Sequence, residues 1–270
     1  MISTIERALT ILPKPIKRRL RKQYTKLIYH YFTKLHKGRF KMRFMNLGYV
    51  DSNPPILEER ELNEQLSINL YHALFKEVDI VDKSILEIGC GKGGGCFYAL
   101  KYLKAKLVIG IDLVKSNIEQ CKKLHKYPEV AFKVMDAETF SLEDTFDVVV
   151  NLESSHCYYY RNLFVERVTE ALKPDGHFMY SDFMRPEDFL EMESYFKQSG
   201  LDIIKKEDIT QNVIDAILLM ENYKEEVLNN SSVIKYFYKN FAVTTDSEVY
   251  KKFKKGELVY LKYVLIKQKK

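Results

Sequence analysis

The chain has 270 residues, 46% hydrophobic and 30% charged, which supplies one full α/β core and argues against a disordered or fibrous polypeptide. Cys90, Cys96, Cys121 and Cys157 form neither a CxxC pair nor a regular framework, so a disulfide scaffold and a zinc site are not indicated and a reducing cytoplasm fits. The net charge of +6 is unevenly placed: residues 1–43 hold thirteen Lys or Arg against Glu6 alone, a local +12, and the remainder carries −6.

Glu6 and Arg7 interrupt the apolar start, and no small-residue cleavage site follows an apolar run, so no signal peptide is expected. Nor is there an uncharged apolar stretch of about 18 residues that would cross a membrane. Residues 1–75 are expected to form a helical extension and lid, broken by Pro13, Pro15 and the turn-rich Asp51-Ser-Asn-Pro-Pro55. Within it, the segment from Pro13 to Arg43 interleaves cations with Leu20, Leu27, Ile28, Tyr31, Phe32 and Leu35. Such a helix has an apolar stripe and a cationic face. It can pack as a lid with its charges solvated, lie peripherally on an anionic membrane, or meet nucleic acid. No RNA-recognition motif accompanies it, which disfavours the last.

From residue 76 to 270 the pattern is that of a catalytic α/β domain. Short apolar runs alternate with amphipathic ones, the signature of βαβ units around a parallel sheet. Strands are predicted at Ser84 to Ile88, Leu107 to Ile111, Val130 to Met135, Phe146 to Leu152 and His177 to Ser181, then Asp202 to Lys206 and Leu258 to Lys267. Helices are predicted at Cys96 to Leu103, Ser116 to Lys126, Tyr160 to Leu172 and Pro186 to Ser199. Lys173-Pro-Asp-Gly176 reads as the turn that ends the third of these. About 209–256 is too long for a hairpin loop. Its apolar spacing (Val213, Ile217, Met220, then Val233, Tyr236, Phe237) predicts an inserted helical lid.

Chemistry concentrates at the carboxyl ends of the strands. Glu87-Ile-Gly89-Cys-Gly91-Lys-Gly93-Gly94-Gly95 lies between a strand and a helix, where glycines let backbone approach a ligand and the helix N–H groups face negative charge. Gly89, Gly91 and Gly94 also satisfy the spacing of dinucleotide enzymes. Glu87 is a carboxylate inside an apolar strand, so a cation or strong donor should lie near it. Asp112 ends the second strand, where a carboxylate can accept both ribose hydroxyls, as it does in nicotinamide enzymes too. Asp136-Ala137 follows the third strand, and the fourth closes on Asn151-Leu-Glu153. His156 follows in Glu153-Ser-Ser-His156-Cys157, and Asp182 ends the next strand, so an imidazole base and an orienting carboxylate are expected side by side. Tyr158, Tyr159 and Tyr160 come next as aromatic faces for an apolar or ring-bearing acceptor, or as ordinary packing.

Glu87 to Gly95, Asp112, Asp136-Ala137 and Leu172-Lys-Pro-Asp-Gly176 resemble the successive motifs of class I methyltransferases. That resemblance implies a doubly wound, seven-stranded, mostly parallel Rossmann-like sheet with an antiparallel last strand. It also implies S-adenosyl-L-methionine as cofactor, S-adenosyl-L-homocysteine as product, and a cofactor site of Glu87, Gly89, Gly91, Gly93, Asp112, Leu113, Asp136, Ala137, Asn151 and Glu153. Leu-Glu-Ser-x-His and Asp182-Phe183 are similar to O-methyltransferases of natural-product sugars, which often carry a second histidine where this chain has Cys157. The tail from Ser247 to Leu265 resembles methyltransferases of phthiotriol-type lipids and polyketides. Asn46-Leu-Gly48-Tyr49 is similar to their Asn-x-Gly-Tyr segment, in which the tyrosine, here Tyr49, closes over the cofactor. The expected reaction is O-methylation of a small-molecule hydroxyl, with His156 as base. C- or N-methylation of a quinone-like ring is the alternative, and a nicotinamide-dependent oxidoreductase or a silent scaffold a remoter one. No metal is implied, and the oligomeric state is not legible.

Overall fold

Pleated strands send alternate side chains to opposite faces, and the apolar runs here are long enough to bury both. The computed structural model describes residues 13–35, 43–143, 145–221 and 243–269. In it β1 (Ser84–Ile88), β2 (Leu107–Asp112), β3 (Val130–Val134) and β4 (Phe146–Leu152) run parallel. β5 (Leu172–Met184), β6 (Leu201–Asp208) and β7 (Val259–Lys267) complete a sheet of order β3-β2-β1-β4-β5-β7-β6, with β7 antiparallel to both neighbours. This is the doubly wound fold expected, and its order reverses between β1 and β4, where such sheets open a crevice.

The alternation builds two cores. Ile85, Val108, Val148 and Val150 face α2 (Gln65–Phe75), α3 (Gly94–Lys101) and α4 (Lys115–Leu124). Leu86, Ile88, Val149 and Phe178 face α5 (Arg161–Ala171) and α6 (Pro186–Gln198). Pro186 in the first turn, with Glu187 and Asp188 beside it, starts α6 as proline and acids at an N-terminus should. Phe164, Phe178 and Phe196 are fully buried, with neighbouring centroids 6.0 Å apart. Each such side chain contributes about 1.5–3 kcal/mol by leaving water.

Most boundaries shift by one or two residues, and the start of β5 shifts furthest from the sequence expectation. The third predicted helix stops at Ala171, and β5 begins at once with Leu172, whose buried side chain makes it the partner of Phe146. Lys173-Pro-Asp-Gly176 is therefore absorbed as an irregularity within the strand. Asp175 takes a left-handed φ of 60° and the register shifts between Phe146 and Val148.

The N-terminal basic segment folds as α1 (Lys14–Leu35), opening on Pro15, and no described helix is long and apolar enough to cross a membrane. Of the predicted lid, α7 (Thr210–Leu219) and α8 (Glu248–Lys254) are described; the spacing at Val233, Tyr236 and Phe237 lies outside the described residues.

Candidate active site

The glycine turn after β1 is pinned to the end of β2, since Gly89 N–H and Cys90 N–H both donate to Ile111 C=O, at 2.8 and 3.0 Å. Gly89 has φ +73°, and a Cβ there would stand 2.6 Å from Ser154 Cβ, so only glycine fits. Gly91 N–H donates to Asp112 Oδ2 at 2.9 Å, and Val114 N–H to Oδ1 at 2.7 Å. Burial pushes Asp112 up to about 6, with those two N–H groups and Asn117 opposing.

The turn opens onto a cleft of about 980 Å³, counted out to its open mouth. Gly89, Gly91, Asp112, Leu113, Asp136, Ala137, Glu153 and Tyr158, all expected from the sequence to contact a ligand, reach its wall. Glu87 lies beneath it, where it accepts from Tyr71 Oη at 2.7 Å and Cys96 Sγ at 2.9 Å. Burial raises its pKa, partly offset by those donors. Tyr71, in turn, lines the cleft. Asn151 braces the floor, donating to Ile88 C=O at 2.9 Å and Ser154 Oγ at 2.7 Å. Gly93, at φ +79°, caps the N-terminus of α3. Tyr49 is buried, with Asp51, Glu207 and Glu77 its charged neighbours, and the wall here is formed by Phe44, Met45 and Asn46 instead.

Sequence reasoning missed Glu138 and the inner face of α1. The Glu138 side chain is 1% exposed and ties three segments together. It accepts from Arg18 Nε at 2.7 Å, Lys22 Nζ at 2.9 Å and Tyr159 N–H at 2.8 Å. Lys22 also pairs with Asp136, and Arg21 donates to His156 C=O at 2.9 Å. Lys22, Thr25 and Tyr29 of α1 line the cleft, so the helix covers it. Tyr159 and Tyr160 stack edge to face at 4.8 Å, with Arg18 lying 5.3 Å over the Tyr160 ring. They serve that contact rather than the cleft wall.

At the end of β4 the chain makes a sharp reversal through Glu153, at φ +48°. Its carboxylate accepts Leu47 N–H at 3.0 Å and Tyr260 Oη at 2.8 Å, anchoring the Asn46-Leu-Gly48 segment. Burial pushes Glu153 up to about 7, with the Leu47 and Tyr260 bonds opposing. The following single turn, Ser155–Cys157, carries His156 to Asp182, with Nδ1 and Oδ1 2.7 Å apart. Asp182 is fully buried and also accepts from Ser155 Oγ at 2.7 Å and His156 N–H at 3.0 Å. Burial opposes its ionisation, but His156 and these donors hold it below the usual carboxylate range. For His156, burial alone would lower the pKa, and the acidic neighbours Cys157 and Asp182 outweigh it and hold it well above the usual value. Cys157 is opposed by burial but lowered by His156 and Arg21, and it reaches the cleft wall. The His156 ring packs 4.6 Å from Phe183, which meets Phe253 at 5.7 Å and Tyr260 at 6.1 Å. This apolar group was not legible as such, because its members come from three distant segments.

The wall thus combines a glycine turn for close approach with carboxylates for a cationic or hydroxylated ligand, and the His156–Asp182 pair, which is not itself on the wall, adjoins it through Cys157. A methyltransferase-domain model matches residues 81–257. The chain belongs to that family, as an S-adenosylmethionine-dependent methyltransferase. It is 30% identical over 236 residues to a phthiotriol/phenolphthiotriol dimycocerosates methyltransferase of Mycobacterium leprae, covering 85% of this chain and 87% of that one. It is 34% identical over 196 residues to a fatty-acid O-methyltransferase of Mycolicibacterium smegmatis, 71% of each. The structure of a putative sarcosine dimethylglycine methyltransferase from Galdieria sulphuraria superposes with a TM-score of 0.66 at 14% identity, covering 92% of this chain and 99% of that one, a likeness of fold.

Proposed function

We propose that this methyltransferase O-methylates a hydroxyl or carboxyl group of a lipid or polyketide-type small molecule, with His156 as the catalytic base and Asp182 orienting it. The observation that carries this reading is the 2.7 Å contact between His156 and the fully buried Asp182, next in the chain to Cys157 of the cleft wall. The half-buried Phe183 ring beside His156, backed by the buried Phe253 and Tyr260, gives the pair an apolar surrounding. The names of the two mycobacterial relatives point to the same acceptor class.

The residues present fit the cofactor. The clash that a Cβ at Gly89 would cause marks a place of close backbone approach, and Asp112, Asp136 and Glu153 suit hydroxyl, amino and cationic groups. In this reading Asp112 accepts the ribose hydroxyls, Asp136 with Ala137 meets the adenine, and Glu87 acts through Tyr71. Bound S-adenosylmethionine supplies an electrophilic methyl group on a sulfonium. The chain's own task is then to align the acceptor, exclude water and take a proton.

In this reading Asp182 accepts from Nδ1–H, which leaves Nε2 as the ring nitrogen that can take a proton. As a hydroxyl acceptor attacks, its proton passes to Nε2, and the carboxylate of Asp182 stabilises the imidazolium formed; a carboxyl acceptor attacks already ionised and gives up no proton. The raised pKa of His156 makes it a stronger base than an ordinary imidazole, with its free form reached at higher pH. α1 lies over the cleft and contributes Lys22, Thr25 and Tyr29 to its wall.

The test is product analysis. Purified protein is given methyl-labelled S-adenosylmethionine with hydroxylated long-chain lipids and with fatty acids, and the expected products carry the label on oxygen, as ethers or esters. Label on carbon or nitrogen would overturn the reading.

A further inference from the structure

The covering helix α1 has two working faces, of which the cleft uses one. Arg18, Lys22, Thr25 and Tyr29 recur at i, i+4, i+7 and i+11 and share the inward side. Ile16, Leu20 and Leu27 recur at i, i+4 and i+11, roughly 180° around the helix from that side. They are 46%, 39% and 57% exposed. Arg19 and Lys26 are exposed beside this stripe. One exposed leucine on a protein surface needs no explanation, but three large apolar side chains in register along three turns, edged by cations, do.

We infer that the outward face of α1 docks on an anionic lipid surface. A lipid interface accommodates both halves of this face, with the apolar side chains entering the headgroup and acyl boundary while Arg19 and Lys26 meet phosphates. Nucleic acid fits it less well. Arg18, Arg21 and Lys22 are turned inward to Glu138, His156 C=O and Asp136, which removes them from any phosphate contact. The remaining cations would pair with a backbone only by leaving the apolar stripe uncovered. Since no described helix can cross a membrane, α1 would lie in the plane of the interface, with the cleft behind it. This docking is independent of which acceptor is methylated.

The experiment is co-sedimentation of the full chain with vesicles of phosphatidylcholine mixed with phosphatidylglycerol, against phosphatidylcholine alone. Binding is expected to the anionic vesicles, roughly 30-fold weaker for Arg19→Gln with Lys26→Gln. Leu20→Ser with Leu27→Ser should weaken it by about tenfold or more, because the buried apolar area is lost. Both double variants should keep the wild-type melting temperature and cofactor affinity, since these side chains face away from the cleft. Absence of binding to anionic vesicles, or binding that neither double variant weakens, would overturn the inference. So would binding to a duplex oligonucleotide that Arg19→Gln with Lys26→Gln abolishes while vesicles are ignored.

Discussion

Asp182→Asn removes one charge and leaves the shape of the site nearly intact. In the wild type the Asp182 carboxylate meets His156 Nδ1 at 2.7 Å and holds both Ser155 Oγ and the His156 N–H. Two unit charges about 4 Å apart in a partly screened site attract by roughly 4 kcal/mol. Some of that is offset by the desolvation both groups undergo, so a net loss of about 2–4 kcal/mol, or roughly 30- to 1,000-fold in turnover, is expected. The side-chain amide also presents an N–H₂ where the carboxylate accepted, which favours the wrong tautomer of His156. Two signatures follow: a lower plateau of kcat, and an acidic limb of the kcat–pH profile displaced to lower pH, because the anion that raises the imidazole pKa is gone. The assay is labelled-methyl turnover on an acceptor found by product analysis, across pH 6 to 10. A variant with wild-type plateau and limb would refute the orienting role of Asp182.

Cys157→Ser should move the acidic limb the same way with little loss of plateau, since it removes the acidic neighbour of His156 and keeps its hydrogen bond to Asp182; an unmoved limb would show that Cys157 remains a neutral thiol. Glu153 has a folded pKa of about 7 against an ordinary value of 4.5, a raised acid, so its ionised form destabilises the fold progressively as pH rises between those values. Two and a half units correspond to about 3 kcal/mol, and near 2–4 °C per kcal/mol Glu153→Gln should melt several degrees higher than wild type at pH 8 and nearly level with it at pH 4.5. A pH-independent gap in melting temperature would contradict that assignment. Gly89→Ala combines a positive φ with a collision against Ser154, and should cost about 1–3 kcal/mol of stability and abolish measurable cofactor binding by calorimetry.

The sheet was legible because its strands are short apolar runs bounded by polar turns, and the glycine turn, Asp112, Asp136 and the His156–Asp182 pair follow from their places at strand ends. Lys173-Pro-Asp-Gly176 misled because proline and glycine signal a stop locally, whereas the buried pairing of Leu172 with Phe146 carries the strand through. The role of α1 was half legible. Its amphipathic spacing stood in the sequence, but the pairing of Arg18 and Lys22 with acids more than a hundred residues away belongs to the tertiary fold. Glu138 had a faint signal, an acid two residues beyond Asp136, and nothing local to say that it would be buried. Tyr49 was placed by resemblance at the cleft, and the structure buries it off the wall that Met45 and Asn46 form.

Whether His156 is the catalytic base is decided by single-turnover methyl transfer by His156→Ala, with cofactor affinity measured in parallel. The rate should fall by about 10²–10⁴ with cofactor affinity nearly unchanged. A wild-type rate in that variant would contradict that role.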